Sequence, residues 1–402
     1  MINISKLKNG ITIIGEENLA LHSVGITILL PIGSSYEEKG NSGIFSMIQD
    51  YLFKGTQKYD AKELANEIDK YGVKYSYHTG KEFSVFSFSL EKNYIKEALA
   101  IFKEIISNPK FPEQELNSIR EVSLSELISL EDKPMSKMLY EIMQKFFPYP
   151  LSNPSQGKIE DINSITFSQI VSTYKNFYFP EGMIISISGN FIWNEILKYV
   201  EELFSDVKLK KLEKITPVYQ NKDTYHIEKN TEQTHIGIAF DFVSYSNDEY
   251  LKAQLAVNSI FGGMSNRLFT EVREKRGLAY SVGGRYFSTK EFGGILCYAG
   301  TTHEKAKECI KIILDEVNNM RNGITQKEFE KGNARVRMEL VTKLENSLER
   351  ASDLATEFFY RNSVKSVEDT LSEVSKITID EINAFFKKYA PNEFLILTVG
   401  KK

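Results

Sequence analysis

Two cysteines, one tryptophan and five histidines are all that 402 residues offer of three residue types prominent in disulfide frameworks, metal centres and aromatic anchors. Cys297 and Cys309 are too few for a disulfide framework or a four-thiolate zinc site, and they read as buried free thiols. His22, His78, His226, His235 and His303 are scattered, with no two within eight residues of each other. Basic excess is missing too: 50 Lys and Arg stand against 54 Asp and Glu, for a formal net charge of −4. A dedicated nucleic-acid binder carries a basic face, so that class is set aside. Ten prolines and 24 glycines form no low-complexity linker. Long apolar runs are also absent. Val24 to Ile32 is too short to span a bilayer and lacks a small-residue cleavage site, so it reads as a strand. A cytoplasmic location without membrane association is the expectation, and a periplasmic or organellar one only if a leader was removed.

What is present is ordinary globular composition, 42% hydrophobic and 26% charged, over a length that suggests two to four domains. Two halves share one grammar. In the first, Gly10–Ile14 and Val24–Leu30 predict a hairpin, followed by helices over 44–54 and 60–71 and paired strands over 73–79 and 83–90. Helical patterns then run over 92–107, 112–130, 135–147 and 166–177, before a strand at 183–188 and a helix at 192–204. Lys208, Lys210, Lys211 and Lys214 lead into Pro217 and mark a linker at 207–222. The second half repeats the order. Strands are expected at 224–228 and 233–241, helices at 246–260 and 265–275, and strands at 279–287 and 292–300. Four or five helices and a strand at 394–399 complete it.

The repeat is visible in the letters. Ile165-Thr166-Phe167-Ser168-Gln169-Ile170 precedes Ile377-Thr378-Ile379-Asp380-Glu381-Ile382 by 212 residues. Such a period is too long for a solenoid and points to two related α+β domains in tandem, 1–206 and 223–402. The expected fold is α+β, each domain a mainly antiparallel sheet with helices packed on one face.

Gly43-Ile44-Phe45-Ser46-Met47-Ile48-Gln49-Asp50-Tyr51-Leu52-Phe53-Lys54-Gly55-Thr56 resembles the active-site helix of the pitrilysin and mitochondrial processing peptidase family, zinc peptidases with an inverted H-x-x-E-H motif. The flanking Gly33-Ser34-Ser35-Tyr36-Glu37 fits as well. The chemistry departs from the family. Ser46 and Asp50 stand where the resemblance puts ligand histidines, and Gln49 where it puts the general base. Serine is a poor zinc ligand, and an amide cannot take a proton from metal-bound water. The third ligand falls on Glu126, 76 residues after Asp50, which also reads as a solvated helix carboxylate. Seven residues before it, Ile119 replaces the family's acidic residue. No metal is therefore expected on this chain.

A second signature is intact. Ser265 to Val282, with Arg273-Glu274-Lys275-Arg276-Gly277-Leu278-Ala279-Tyr280 at its centre, resembles the family's substrate-binding segment. There an Arg and a Tyr seven residues later reach the zinc site, and Arg273 and Tyr280 match them. By themselves they read as a helix-face arginine among Glu271, Glu274 and Arg276, and a strand aromatic. Gly262-Gly263 resembles the start of the glycine-rich substrate loop of the processing peptidase's non-catalytic subunit, and also reads as a tight turn. Glu82 lies in a turn between strands and is a candidate for lining a substrate cavity.

The resemblance implies the non-catalytic subunit of a heterodimeric zinc peptidase, with zinc held by a homologous partner and unfolded peptides as substrates. This chain would supply Arg273 and Tyr280. The alternative is a non-enzymatic scaffold or peptide-binding subunit of a larger complex.

Overall fold

The computed structural model describes residues 2–401. The first half runs β1 (Ile2–Lys6), β2 (Thr12–Glu17), β3 (Ser23–Leu30), α1 (Ile44–Leu52), α2 (Ala61–Lys70), β4 (Lys74–Thr79), β5 (Ser84–Glu91) and α3 (Ile95–Ser107). It continues through α4 (Leu116–Glu131), α5 (Pro134–Phe146), α6 (Ile159–Ser164), α7 (Phe167–Phe177), β6 (Ile184–Gly189) and α8 (Trp193–Leu203). The second comprises β7 (Thr224–Glu228), β8 (Thr234–Phe242), α9 (Tyr250–Phe261), a π-helical turn (Phe269–Glu274), β9 (Ala279–Ser288) and β10 (Gly293–Thr301). Helices α10 (Ala306–Asn318), α11 (Gln326–Glu345), α12 (Ser347–Arg361), α13 (Val367–Lys376) and α14 (Ile379–Lys388) precede β11 (Leu395–Gly400).

Two sheets result, ordered β1-β2-β6-β3-β5-β4 and β7-β11-β8-β10-β9. Apart from the edge strand β1, the orders are equivalent. Both are antiparallel except for one pair each, β2–β6 and β7–β11. Thr12 pairs with Ile184 in the first, and Thr224 with Ile396 in the second, both numbers higher by 212. Thr166 caps α7 in a capping box with Gln169, and Thr378 caps α14 in the same box with Glu381.

The hairpin expected over residues 9–30 does not form. Strand β6 lies between β2 and β3 and pairs with both. Alternating apolar residues mark these segments as strands, but long-range pairing decides their neighbours. The helix expected at 246–260 begins only at Tyr250, and the one expected at 265–275 is mostly the π-turn. Strand β1 carries no expectation from the sequence reading.

The compact units are interleaved in the chain, in contrast to the contiguous spans 1–206 and 223–402. One comprises residues 1–128, 153–217 and 343–366, and the other 129–152, 218–342 and 367–402. Each sheet has several helices on one face, and a single helix from the other half of the sequence on the second face. In the first unit that helix is α12. Its Leu354 and Ala355 bury against Ile14, Leu29, Val85 and Ile184. In the second it is α5, whose Met138, Ile142 and Phe146 bury against Ala239, Leu296, Leu395, Leu397 and Val399. Both contacts need a strand glycine. A Cβ on Gly25 would meet the α12 backbone at Leu348 at 2.4 Å, and one on its repeat equivalent Gly237 would meet Met138 Sδ at 2.4 Å.

Candidate functional site

Helix α1 starts where the Glu37 carboxylate accepts hydrogen bonds from the backbone N–H of Gly43 (2.9 Å) and Phe45 (3.2 Å). This satisfies two donors at the helix start. The helix buries Ile44, Phe45, Met47, Ile48, Tyr51 and Leu52, which fixes the direction of its polar face. Gln49 is 1% exposed. Its Oε1 accepts from the Thr79 hydroxyl (2.8 Å) and its Nε2 donates to the Val85 carbonyl (3.3 Å), tying α1 to β4 and β5. Both ends of the amide are thus engaged. Asp50, one residue on, accepts from the Tyr77 hydroxyl (3.1 Å). Ser46 is half-buried.

Glu126 is exposed on α4, yet near enough for its charge to raise the Asp50 pKa. The structure therefore brings Asp50 and Glu126 within electrostatic range. Ile119 is 1% exposed, a core residue with nothing to orient a metal ligand. Zinc does not fit this set. No imidazole is present, the amide at the general-base position is engaged at both ends, and the two carboxylates are unaccompanied by a third ligand. Among the described residues no three His, Cys, Asp or Glu are grouped to hold a metal ion.

Asp50 is pushed up to about 6, first by burial and then by Glu126, with the Tyr77 hydrogen bond and Lys54 opposing. A carboxyl with a raised folded-state pKa binds more protons folded than unfolded between about pH 4 and pH 6. Its ionisation therefore lowers stability as pH rises through that window. Asp50→Asn keeps an acceptor for Tyr77 and removes the charge. It should stabilise the protein at pH 7.5 by roughly 1–2 kcal/mol, discounted for partial exposure, and by little at pH 4. Urea unfolding at both pH values measures the difference, and equal effects at the two would refute the assignment.

The second region is built on the π-turn. Asn266 accepts from the Phe269 N–H (2.9 Å) and donates to the Phe261 carbonyl (3.1 Å), anchoring the turn to the end of α9. Lys275 N–H reaches the Thr270 carbonyl at 2.9 Å, a five-residue step that widens the coil. Arg276 is committed, its Nη1 donating to Glu271 Oε2 (2.6 Å) and to the Glu271 carbonyl (2.8 Å). Arg273 differs. Its guanidinium lies over the Phe269 ring at 4.7 Å and the Tyr280 ring at 4.5 Å. Among the described residues no carboxylate pairs with it. Gly277, at φ +56 with open space where a Cβ would be, reverses the chain into β9. Tyr280 is the second residue of that strand and is 77% exposed.

Gly262 ends α9, and Gly263 follows at φ +67, so the pair forms a tight turn. A Cβ on Gly263 would meet the Arg335 guanidinium at 2.2 Å. Glu82 is half-exposed in the β4–β5 turn; burial raises the Tyr36 pKa and the Glu82 charge adds to it, while burial lowers the Lys81 pKa to about 8 against the charges of Glu37 and Glu82. Cys297 and Cys309 are free and buried. Burial pushes the Cys309 thiol up to about 12 and the Cys297 thiol higher, so neither is a ready nucleophile.

Tyr77 and Thr79, which hold Asp50 and Gln49, carry no functional expectation from the sequence. Their alternation along one short strand was the available signal. Phe269 was also missed. It stands four residues before Arg273, and that i, i+4 spacing, which puts two helical side chains on one face, was the available signal.

Residues 12–155 match the family model described as insulinase (peptidase family M16), and residues 164–335 the model described as the peptidase M16 inactive domain. A Rickettsia bellii protein described as an uncharacterized zinc protease is 30% identical over 383 residues, covering 94% of this chain and 93% of its own. A Bacillus subtilis protein of like description is 25% identical over 408 residues, covering 100% and 98%. The peptidase M16 inactive domain from Pseudomonas fluorescens aligns with TM-score 0.91 at 20% identity, over 100% of this chain and 98% of that one. A chain of complex III2 from Candida albicans aligns with TM-score 0.83 at 18% identity, over 100% and 96%.

Proposed function

Because this chain belongs to peptidase family M16 and its zinc helix reads S-x-x-Q-D, we propose that it is the non-catalytic subunit of a heterodimeric zinc peptidase. A homologous partner with an intact H-x-x-E-H motif holds the zinc and activates the water. This chain supplies Arg273, Tyr280 and part of the chamber that holds an unfolded peptide. One contrast carries the reading. At the motif, Gln49 is spent on bonds to Thr79 and Val85. At the second signature, Arg273 has no acidic partner among the described residues and Tyr280 projects into solvent. A guanidinium can fork onto a peptide carbonyl, and a phenol can donate to a developing oxyanion. No step of the reaction proceeds through a metal on this chain.

A second reading, a non-enzymatic scaffold, takes its support from the fold shared with the Candida complex III2 chain. An exposed Arg–Tyr pair has no evident use there.

The test is reconstitution. The purified chain alone should not cleave a quenched unfolded peptide, and the homologous chain with the intact motif should cleave it far faster when both are present. Chelator-sensitive turnover by this chain alone would overturn the proposal. Turnover by the partner that does not change on adding this chain would favour the scaffold.

A further inference from the structure

The Arg273 guanidinium lies within cation–π distance of two rings, yet only one, Tyr280, belongs to the signature pair. The other, Phe269, is half-buried and lies outside the hydrophobic cluster at the centre of its unit. Its ring-to-cation distance of 4.7 Å matches the 4.5 Å of Tyr280. Residues 269 and 273 stand at the i, i+4 spacing that puts two helical side chains on one face. A ring stacks on the face of a guanidinium and leaves its edge, where the N–H donors lie, as the part open to a ligand. A free arginine samples many rotamers and loses them on binding. A clamped one has already lost them.

We infer that Phe269 is a positioning residue for Arg273, clamping the guanidinium so that its donor edge is presented to a peptide carbonyl. The inference rests on the reading that Arg273 serves the partner's site. Phe269 itself touches no reacting atom. Its action is electrostatic and entropic, through the ring face.

The experiment has two arms. In the first, on this chain alone, the Arg273 Nε–Hε resonance is assigned by its loss in Arg273→Lys. It should lie upfield of the ordinary arginine position because of the ring currents of Phe269 and Tyr280, and move downfield in Phe269→Leu. A wild-type resonance at the ordinary position, or one that Phe269→Leu does not move, would overturn the clamp without need of a partner. In the second arm, turnover is measured in the pair with the zinc-bearing chain. Phe269→Leu should lower kcat/KM about 3- to 30-fold, the effect of losing one cation–π contact, and Phe269→Tyr and Phe269→Trp should restore it. If Phe269→Tyr is as impaired as Phe269→Leu, the role is structural and the inference fails. If Arg273→Ala is slow while Phe269→Leu turns over like wild type, the inference fails and the proposed function stands. If Arg273→Ala itself has wild-type turnover, the proposed function fails.

Discussion

In the complex with a zinc-bearing partner, Tyr280→Phe is expected to lower turnover by about 10²–10³, or roughly 2.7–4 kcal/mol, the usual effect of removing one oxyanion donor. The residue is 77% exposed, so loss of its hydroxyl removes no core contact and the subunits should still assemble. Arg273→Ala should fall in the same range. Arg273→Lys should recover only part, since an ammonium cannot reproduce the planar fork or stack as well on the Phe269 and Tyr280 rings. The control is Arg276→Ala. Its guanidinium is already occupied by the Glu271 carboxylate and carbonyl, so its loss should be mild. Steady-state cleavage of a quenched peptide by each reconstituted pair is the measurement. Wild-type turnover in both Arg273→Ala and Tyr280→Phe would leave the scaffold reading in place.

The largest stability effect is expected at Arg350, where α12 meets the first sheet. Its side chain is 3% exposed and ion-paired through Nε to Glu16 on β2, with Nη1 on Asp353 (3.0 Å) and Nη2 on Glu16 Oε1 (3.2 Å) and the Lys365 carbonyl (3.0 Å). Arg350→Ala leaves Glu16, itself only 12% exposed at its side chain, buried without its partner. Such a loss costs about 3–5 kcal/mol. Adding Glu16→Gln should recover part of it, because the stranded charge is what makes the single variant costly. Trp193 is the one tryptophan of the chain and packs against Gly15 on β2. Its fluorescence during urea unfolding therefore reports on this unit. A midpoint unchanged in Arg350→Ala would show that the network contributes nothing net.

Much of the fold is legible because the local signals are strong. The boxes at Thr166–Gln169 and Thr378–Glu381 mark two helix starts, and period-two alternation marks strands such as β5 and β8. The 212-residue offset links the two sheets down to the pairs Thr12–Ile184 and Thr224–Ile396. Strand neighbours are not legible. Nothing near residues 12–30 says that Ile184–Gly189 will lie between β2 and β3, because the pairing is settled by burial of both faces. Nor does the amphipathic pattern of α5 or α12 tell which sheet each will cover. At the site, the missing histidines are plain in the letters, and so is the Arg–Tyr spacing. The engagement of Gln49 with Thr79 and Val85 is not, since it depends on two strands meeting one helix. The i, i+4 spacing of Phe269 and Arg273 is legible, but not that the same guanidinium also meets Tyr280 on the following strand.

The exchange of α5 and α12 between halves bears on how the protein is made. A ribosome delivers the strands of the first sheet before residue 190, yet the helix that covers Ile14, Leu29, Val85 and Ile184 comes at 347–361. At about 5–20 residues per second, that apolar face waits on the order of 10–30 s for its cover. During that time the nascent chain presents a bare sheet surface of the kind chaperones bind. A product ending at Pro217 would never cover it, so truncation at the lysine-rich segment should yield an insoluble fragment rather than a free-standing domain.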